Sequence, residues 1–322
     1  MPRKIDISHK TIIFITIFIL GLWVLYLIRD LLILLFVAVI LMSALSPLVN
    51  FFTKLKLPKA LGIIISYIFI IAAVAGILAI LLPPLIEQSN RLISALPPLL
   101  ADQFNLSDVN DTVFQSQLVN LSKNIFSITL EVFSNLITVI FVLVLTFYLL
   151  LEKESLEEKT PSLFGERSGQ IRKSIIRIEE KLGAWVRGQL FLSIIIGLLV
   201  YLGLIILNIP YALPLALLAA IMEVVPVIGP IIAAIPAVIL ALTISPVITA
   251  AVVGWYFIIQ QLENNLIVPQ VMKRAVGLNP LIIILAVAVG TRLLGFGGAL
   301  LAVPIVVVLQ VVWMEVLEEK SA

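Results

Sequence analysis

Three ionisable side chains stand where this chain can least accommodate charge. Glu223 separates the uncharged runs 188–222 and 224–262, Glu263 closes the second of them, and Arg292 separates the uncharged runs 275–291 and 293–314. A charged group at membrane depth costs at least about 2.5–3.5 kcal/mol on insertion scales, so such residues face a cavity or a partner. Glu223 and Glu263 could exchange a proton or a monovalent cation, with Arg292 as anchor or counter-ion. They could instead line a path for a small polar solute together with the neutral amides of Gln261, Asn264 and Asn265. A third arrangement does no chemistry: a structural Glu–Arg pair that locks two elements. Helix breakers lie close by. Pro226, Gly229 and Pro230 follow Glu223, and Gly290, Gly295, Gly297 and Gly298 bracket Arg292. Such residues interrupt helices and expose backbone groups, and exposed half-helix ends are where transporters hold ions and anions.

The elements that carry these groups follow from composition. Of 322 residues, 61% are hydrophobic and 12% charged, about half the charged fraction of a soluble domain. The apolar runs are continuous, as in Thr11-Ile-Ile-Phe-Ile-Thr-Ile-Phe-Ile-Leu-Gly21, which excludes the two-residue alternation of a transmembrane β-barrel. Helices remain as the way to span a bilayer. The expected fold is therefore an all-α polytopic membrane protein, with about five full transmembrane helices, then two broken or re-entrant hairpins flanking a further transmembrane helix. Absences narrow the function. The chain has no Cys and one His, His9, so disulfides and ordinary zinc, haem–thiolate or iron–sulfur sites are not expected. No phosphate-binding GxxxxGK[ST] run, nucleophile elbow or HExxH pattern occurs. No cofactor, no metal and no enzymatic activity are expected. A net charge of +2 is too small to point to nucleic acid. The partners are a lipid bilayer and a small solute or monovalent cation.

Charge bias orients the chain. Arg3, Lys4 and Lys10 place the N-terminal tail in the cytoplasm. Helices over about 11–28, 31–52, 60–84 and 125–151 follow, with reversals at Arg29-Asp30, at Lys54, Lys56 and Lys59, and at Pro83-Pro84. Residues 1–151 make an N-terminal unit with an external amphipathic segment at 87–124. Residues 152–189 carry eight Lys or Arg and seven Glu and form a cytoplasmic segment. Within it Ile171, Ile175, Ile178, Leu182 and Trp185 recur at helical steps. That stripe lies on the membrane surface or packs against the rest of the protein. Residues 190–322 form the core: a helix to about 207, an apolar segment 211–243 broken at Pro226–Pro230, a helix 247–262, and a segment 279–313 broken at Gly290 and Leu294–Gly298.

Half of either broken segment, about 15 residues, spans roughly 22 Å as a helix, short of the roughly 30 Å hydrocarbon core. A re-entrant hairpin or two short spans would both keep Lys273-Arg274 on the cytoplasmic side. Shifted by 68 positions, Gly229 aligns with Gly297 and Pro236 with Pro304. One hairpin opening outward and one inward is the pattern of inverted repeats around a midplane site. Both termini are then cytoplasmic.

Five ordered motifs add a resemblance. Trp185-Val-Arg-Gly-Gln189, Pro210-Tyr-Ala-Leu213, Glu223-Val-Val-Pro-Val-Ile-Gly-Pro230, Gln261-Leu-Glu-Asn-Asn265 with Pro269, and Gly290 through Gly298-Ala-Leu-Leu-Ala-Val-Pro304 resemble the autoinducer-2 exporter family of bacterial and archaeal permeases, over nearly the whole chain. The resemblance implies a homo-oligomer in the cytoplasmic membrane. It implies either export of a small polar solute such as the furanosyl signal autoinducer-2 or sodium(lithium)/proton antiport through Glu223 and Glu263. A non-transporting membrane scaffold is the remaining alternative.

Overall fold

The computed structural model describes residues 9–104, 136–163, 165, 168–226, 228–271 and 279–321. Among these residues the chain is helices joined by short turns, without strands, and it is an all-α polytopic membrane protein. Five helices are long and apolar enough to cross a bilayer: Arg29–Lys54, Lys59–Leu81, Leu136–Lys159, Ser168–Ile206 and Leu281–Glu315.

Helix α1 (His9–Leu27) and helix α2 (Arg29–Lys54) do not form the expected reversal. The amide of Ile28 donates to the Val24 carbonyl and that of Leu32 to the Ile28 carbonyl, both at 3.0 Å. The helical ladder therefore runs across the junction, with a local distortion at Ile28 (φ −93°, ψ 8°). Arg29-Asp30 contains no Gly, Pro or Asn to turn the chain; charge alone does not end a helix. The parity that put the N-terminal tail on the same side as Lys54 goes with that reversal. Helix α3 (Lys59–Phe104) likewise runs through Pro83-Pro84. Each proline removes one ladder bond, but the chain can remain helical around it. The first part of the expected external segment, 87–104, thus continues α3, and 105–124 lie outside the described residues.

Helix α4 (Leu136–Ser162) carries its apolar run into the charged segment, and helix α5 (Ser168–Ile206) begins within that segment and continues for 39 residues. The segment 152–189 is thus the meeting of two membrane helices. Its apolar stripe packs inward: Leu182 and Trp185 are buried and Ile178 lies against them. Ion pairs and hydrogen bonds tie the charged face to its neighbours. Lys153 on α4 bonds Glu179 on α5 at 2.6 Å and Ser46 on α2 at 3.3 Å, and Lys59 on α3 pairs with Glu154 on α4 at 3.1 Å.

Helices α2 and α5 cross closely at Gly183, where an added Cβ would collide with the Ser43 carbonyl. Pro47 lacks the amide that would bond that carbonyl in a helix. The Arg187 guanidinium takes its place, donating to the Ser43 and Ala44 carbonyls at 3.3 Å each.

The C-terminal core is a set of short helices around α5. Helix α6 (Ala212–Met222) and helix α7 (Ile228–Leu242) have 11 and 15 residues, about 16 and 22 Å. Helix α8 (Pro246–Leu262) starts at Ser245, whose Oγ accepts from the Ile248 amide at 3.1 Å, a strong N-cap with Pro at the first helical position. It passes into a π-helical turn, Glu263–Ile267, and then helix α9 (Val268–Val271). Helix α10 (Pro280–Ser321) is two helices joined at Leu294 (φ −133°, ψ 16°) and Gly295 (φ 61°, ψ −143°). The second of those conformations is essentially confined to glycine. The main core joins Leu182, Leu192, Ile196, Val200 and Leu204 of α5 to Ala216 and Ala219 of α6, Ala233 and Ala237 of α7, Ile259 of α8 and Val307 of α10. Small residues let these helices approach, which is how membrane helices associate.

Candidate transport site

Both broken segments fold back on themselves. A Cβ at Gly229 would strike the Met222 carbonyl, seven residues earlier. Cβ atoms at Gly290 and Gly298 would each strike the other residue's carbonyl. Residues eight apart in a straight helix are about 12 Å apart, so that contact is possible only in a hairpin. Gly297, which aligned with Gly229 in sequence, faces open space; the residue that serves the Gly229 role is its neighbour Gly298. The tip of the first hairpin packs on the flanks of the second: Val225, in the first break, lies with Val287, Ala299 and Ala302, while the second turn itself, Leu294 and Gly295, is exposed.

Glu223 is the C-cap of the first half-helix, its amide donating to the Ala219 carbonyl at 2.9 Å. Pro226 stops the helix there. Helix ends leave carbonyls without an intrahelical donor, and the Glu223 carbonyl is met from another element: Gln189 Nε2 of α5 donates to it at 2.6 Å. The Glu223 side chain is 1% exposed and its Oε2 has no partner among the described residues. Glu263 is 5% exposed and accepts from Gln260 Nε2 at 2.9 Å. The two carboxyl groups are near enough to interact electrostatically. They come from different elements, the tip of the first hairpin and the π-turn that ends α8.

The other expected site residues lie elsewhere. Arg292 is exposed, and no ion pair joins it to either carboxylate among the described residues. Gln261, Asn264 and Asn265 are also exposed; Asn265 Nδ2 donates to the Gln261 carbonyl at 3.0 Å, bracing the π-turn. In the first break Gly229 is buried and Pro226 and Pro230 half-buried; in the second Gly298 is buried and Gly290 half-buried, while Gly295 and Gly297 are exposed.

Between α5, α6, α7 and α8 is a partly open cavity of about 220 Å³, which neither carboxyl group lines. Ile196 and Val200 of α5, Ala219 of α6, Pro230, Ile231 and Ala234 of α7, and Tyr256, Ile259 and Gln260 of α8 line it. Its polar groups are Tyr256 and Gln260, neither of which stood out in the sequence. The signal was helical phase: Val252, Tyr256, Ile259 and Glu263 fall at steps of 4, 3 and 4, one face of α8, and Gln260 lies on it, whereas Gln261, Asn264 and Asn265 turn away. Gln189 and Ser193 share the α5 face of Ile196 in the same way.

A family model of AI-2E family transporters matches residues 12–318. The chain belongs to the AI-2E transporter family. This AI-2E transporter is similar to PerM of Escherichia coli (strain K12), provisionally named a permease, at 29% identity over 81% of this chain and 77% of the relative. It is 25% identical to YrrI of Bacillus subtilis (strain 168), which carries a provisional transport-protein name, over 89% of this chain and 87% of that one. The AI-2 transport protein TqsA of Escherichia coli (strain K12) is 27% identical over 86% of this chain and 82% of its own. AI-2E transporters form a permease family, which is not an enzyme class.

Proposed function

We propose that this AI-2E transporter exports a small polar solute through the space between α5, the first hairpin and α8, with Glu223 and Glu263 lining the route. The cavity carries this reading. Seven of its nine lining residues are aliphatic, alanine or proline, and the other two are a phenol and an amide. Such walls suit a solute with a carbon skeleton and a few polar groups. A dehydrated metal cation asks for several oxygen ligands at once, and Tyr256 and Gln260 offer too few. The relative named for AI-2 transport makes autoinducer-2 the first solute to try.

A second reading, monovalent cation/proton antiport, draws support from one observation: two buried carboxyl groups close to each other, one with an unpartnered oxygen. Purified protein in proteoliposomes separates the two. Saturable movement of autoinducer-2 or another neutral solute without an imposed sodium or proton gradient fits export. Sodium–proton exchange without any solute movement would put the antiport reading in its place. No movement of either in correctly assembled protein would leave a scaffold. Assembly as a homo-oligomer is part of the proposal, because α1 is exposed along nearly its whole length in the single chain.

A further inference from the structure

We propose that the cavity between α5, α6, α7 and α8 is a side pocket open to the bilayer, and that its occupant is the end of one acyl chain of a membrane lipid. This goes beyond solute export and stands without it.

The walls offer hydrocarbon. Of the lining residues only Tyr256 and Gln260 are polar, and neither gives the cavity much. The Tyr256 hydroxyl is buried without accessible surface, so the side chain presents its ring. Gln260 Nε2 is engaged by Glu263. Water needs two to four polar partners to stay in a cavity, and apolar cavities stay dry and take up hydrocarbons. Left empty, the walls forfeit their dispersion contacts on one side. Scaled from a 150 Å³ cavity that holds benzene, 220 Å³ takes about nine carbons of a chain.

The mouth meets the same material. Ile196, Val200 and Ile259 are the buried floor, whereas Ile231 is 62% exposed and Pro230 and Ala234 are half-buried, so the cavity is entered past α7 without parting the core. The surface around the mouth continues as exposed Ile235 on α7 and Val253 and Phe257 on α8. No charged residue occurs from 224 to 262, so neither helix carries a charge that would hold headgroups or water there. Depth agrees. Ile196 and Val200 lie about 15 and 9 Å along α5 from its end at Ile206, inside a hydrocarbon layer about 30 Å thick. The pocket is thus continuous with the surface that the bilayer covers, at the level of its chains. A solute entering the same space has to displace the chain.

The test uses the full chain in vesicles of phosphatidylethanolamine and phosphatidylglycerol, doped with phosphatidylcholine that carries a photoactivatable diazirine near the end of one chain. Adducts mapped by mass spectrometry are expected on the floor residues Val200 and Ile259 as well as on Ile194 and Leu198, which are exposed on α5. Ala234→Phe fills the pocket and should cut the floor adducts at least about fivefold relative to Leu198, because a packed interior leaves no room for a second occupant. Ala234→Leu, a smaller filling, should act in the same direction. Ala234→Cys, in a chain without native cysteine, should stay unlabelled by a water-soluble thiol reagent. Adducts confined to Ile194 and Leu198, floor adducts undiminished in both filling variants, or labelling of Ala234→Cys from water would each overturn the pocket, whether water, solute or a second copy of the chain fills the space instead. Absence of solute flux in the same vesicles bears on export alone.

Discussion

The two hairpins solve the same problem, a chain that turns back within the protein, by opposite means. The first turns at 223–226, after a helix stopped by Pro226, and sets a buried carboxyl group there, whose own backbone carbonyl is held by Gln189 from α5. The second turns at two residues, Leu294 and Gly295, and is closed by backbone against backbone at Gly290 and Gly298. One turn is buried and dependent on a neighbouring helix; the other is exposed and closed by its own backbone. Similar breakers in the sequence therefore do not imply similar chemistry. What decides it is whether a neighbouring helix offers a polar side chain to the exposed backbone.

The sharpest way to break the pairing is to ask which side each hairpin opens to. With no native cysteine, single cysteines replace Ile244, at the open end of the first, and Ser321, at the end of the second. An impermeant thiol reagent on intact cells should label Ile244→Cys and not Ser321→Cys; labelling of both or neither would end the idea of an inverted pair.

Next in size is the backbone contact. Gly298→Val forces a side chain into the Gly290 carbonyl, and overpacking of this kind costs about 3 kcal/mol, a fall in Tm of about 6–12 °C. Gly229→Val should do comparable damage through the Met222 carbonyl. A stable Gly298→Val protein would show that the second hairpin is looser than its contacts indicate.

The tips should then part in function. Glu223→Gln should lower the rate of solute flux about tenfold, the size expected when one buried hydrogen bond on the route is lost, whereas Arg292→Gln should leave flux within about twofold. Equal losses in radiolabelled uptake would restore Arg292 to the site. Gln189→Leu, which strips the donor from the Glu223 carbonyl, should cost about 1–3 kcal/mol, read as a Tm lower by about 2–12 °C. The smallest effect belongs to Gly297→Ala: with open space around it, it should shift stability by no more than about 0.5 kcal/mol, although its sequence counterpart Gly229 tolerates nothing.

That last pair marks where the sequence stops being informative. Long uncharged runs, fixed by the cost of charge in a bilayer, made the membrane class and the two broken segments legible, and Glu223 and Glu263 stood out for the same reason. Phase did not. Reading Gln260-Gln-Leu-Glu-Asn-Asn265 as a polar run picked out Gln261, Asn264 and Asn265, when the buried face of α8 carries Tyr256, Gln260 and Glu263. Arg292 and Glu223 both flank breaks, but a hairpin's flank has two sides and nothing local chooses between them. Charged pairs misled at Arg29-Asp30 as well, where the backbone ladder runs on regardless.

Helix α5 is unbroken over 39 residues, about 58 Å, twice the thickness of the hydrocarbon it crosses. Its charged end is gripped by Lys153 on α4, by Glu315 and Gln310 on α10, and, through Arg187, by α2. Farther along it touches the tip of the first hairpin and walls the cavity. A beam of that length cannot absorb a push locally. A tilt of about 5° about Gln189 would swing Ser168 by about 3 Å, so a rearrangement among the charged residues would be felt at the hairpin as leverage, and a solute wedged beside Ile196 would be felt among the charges.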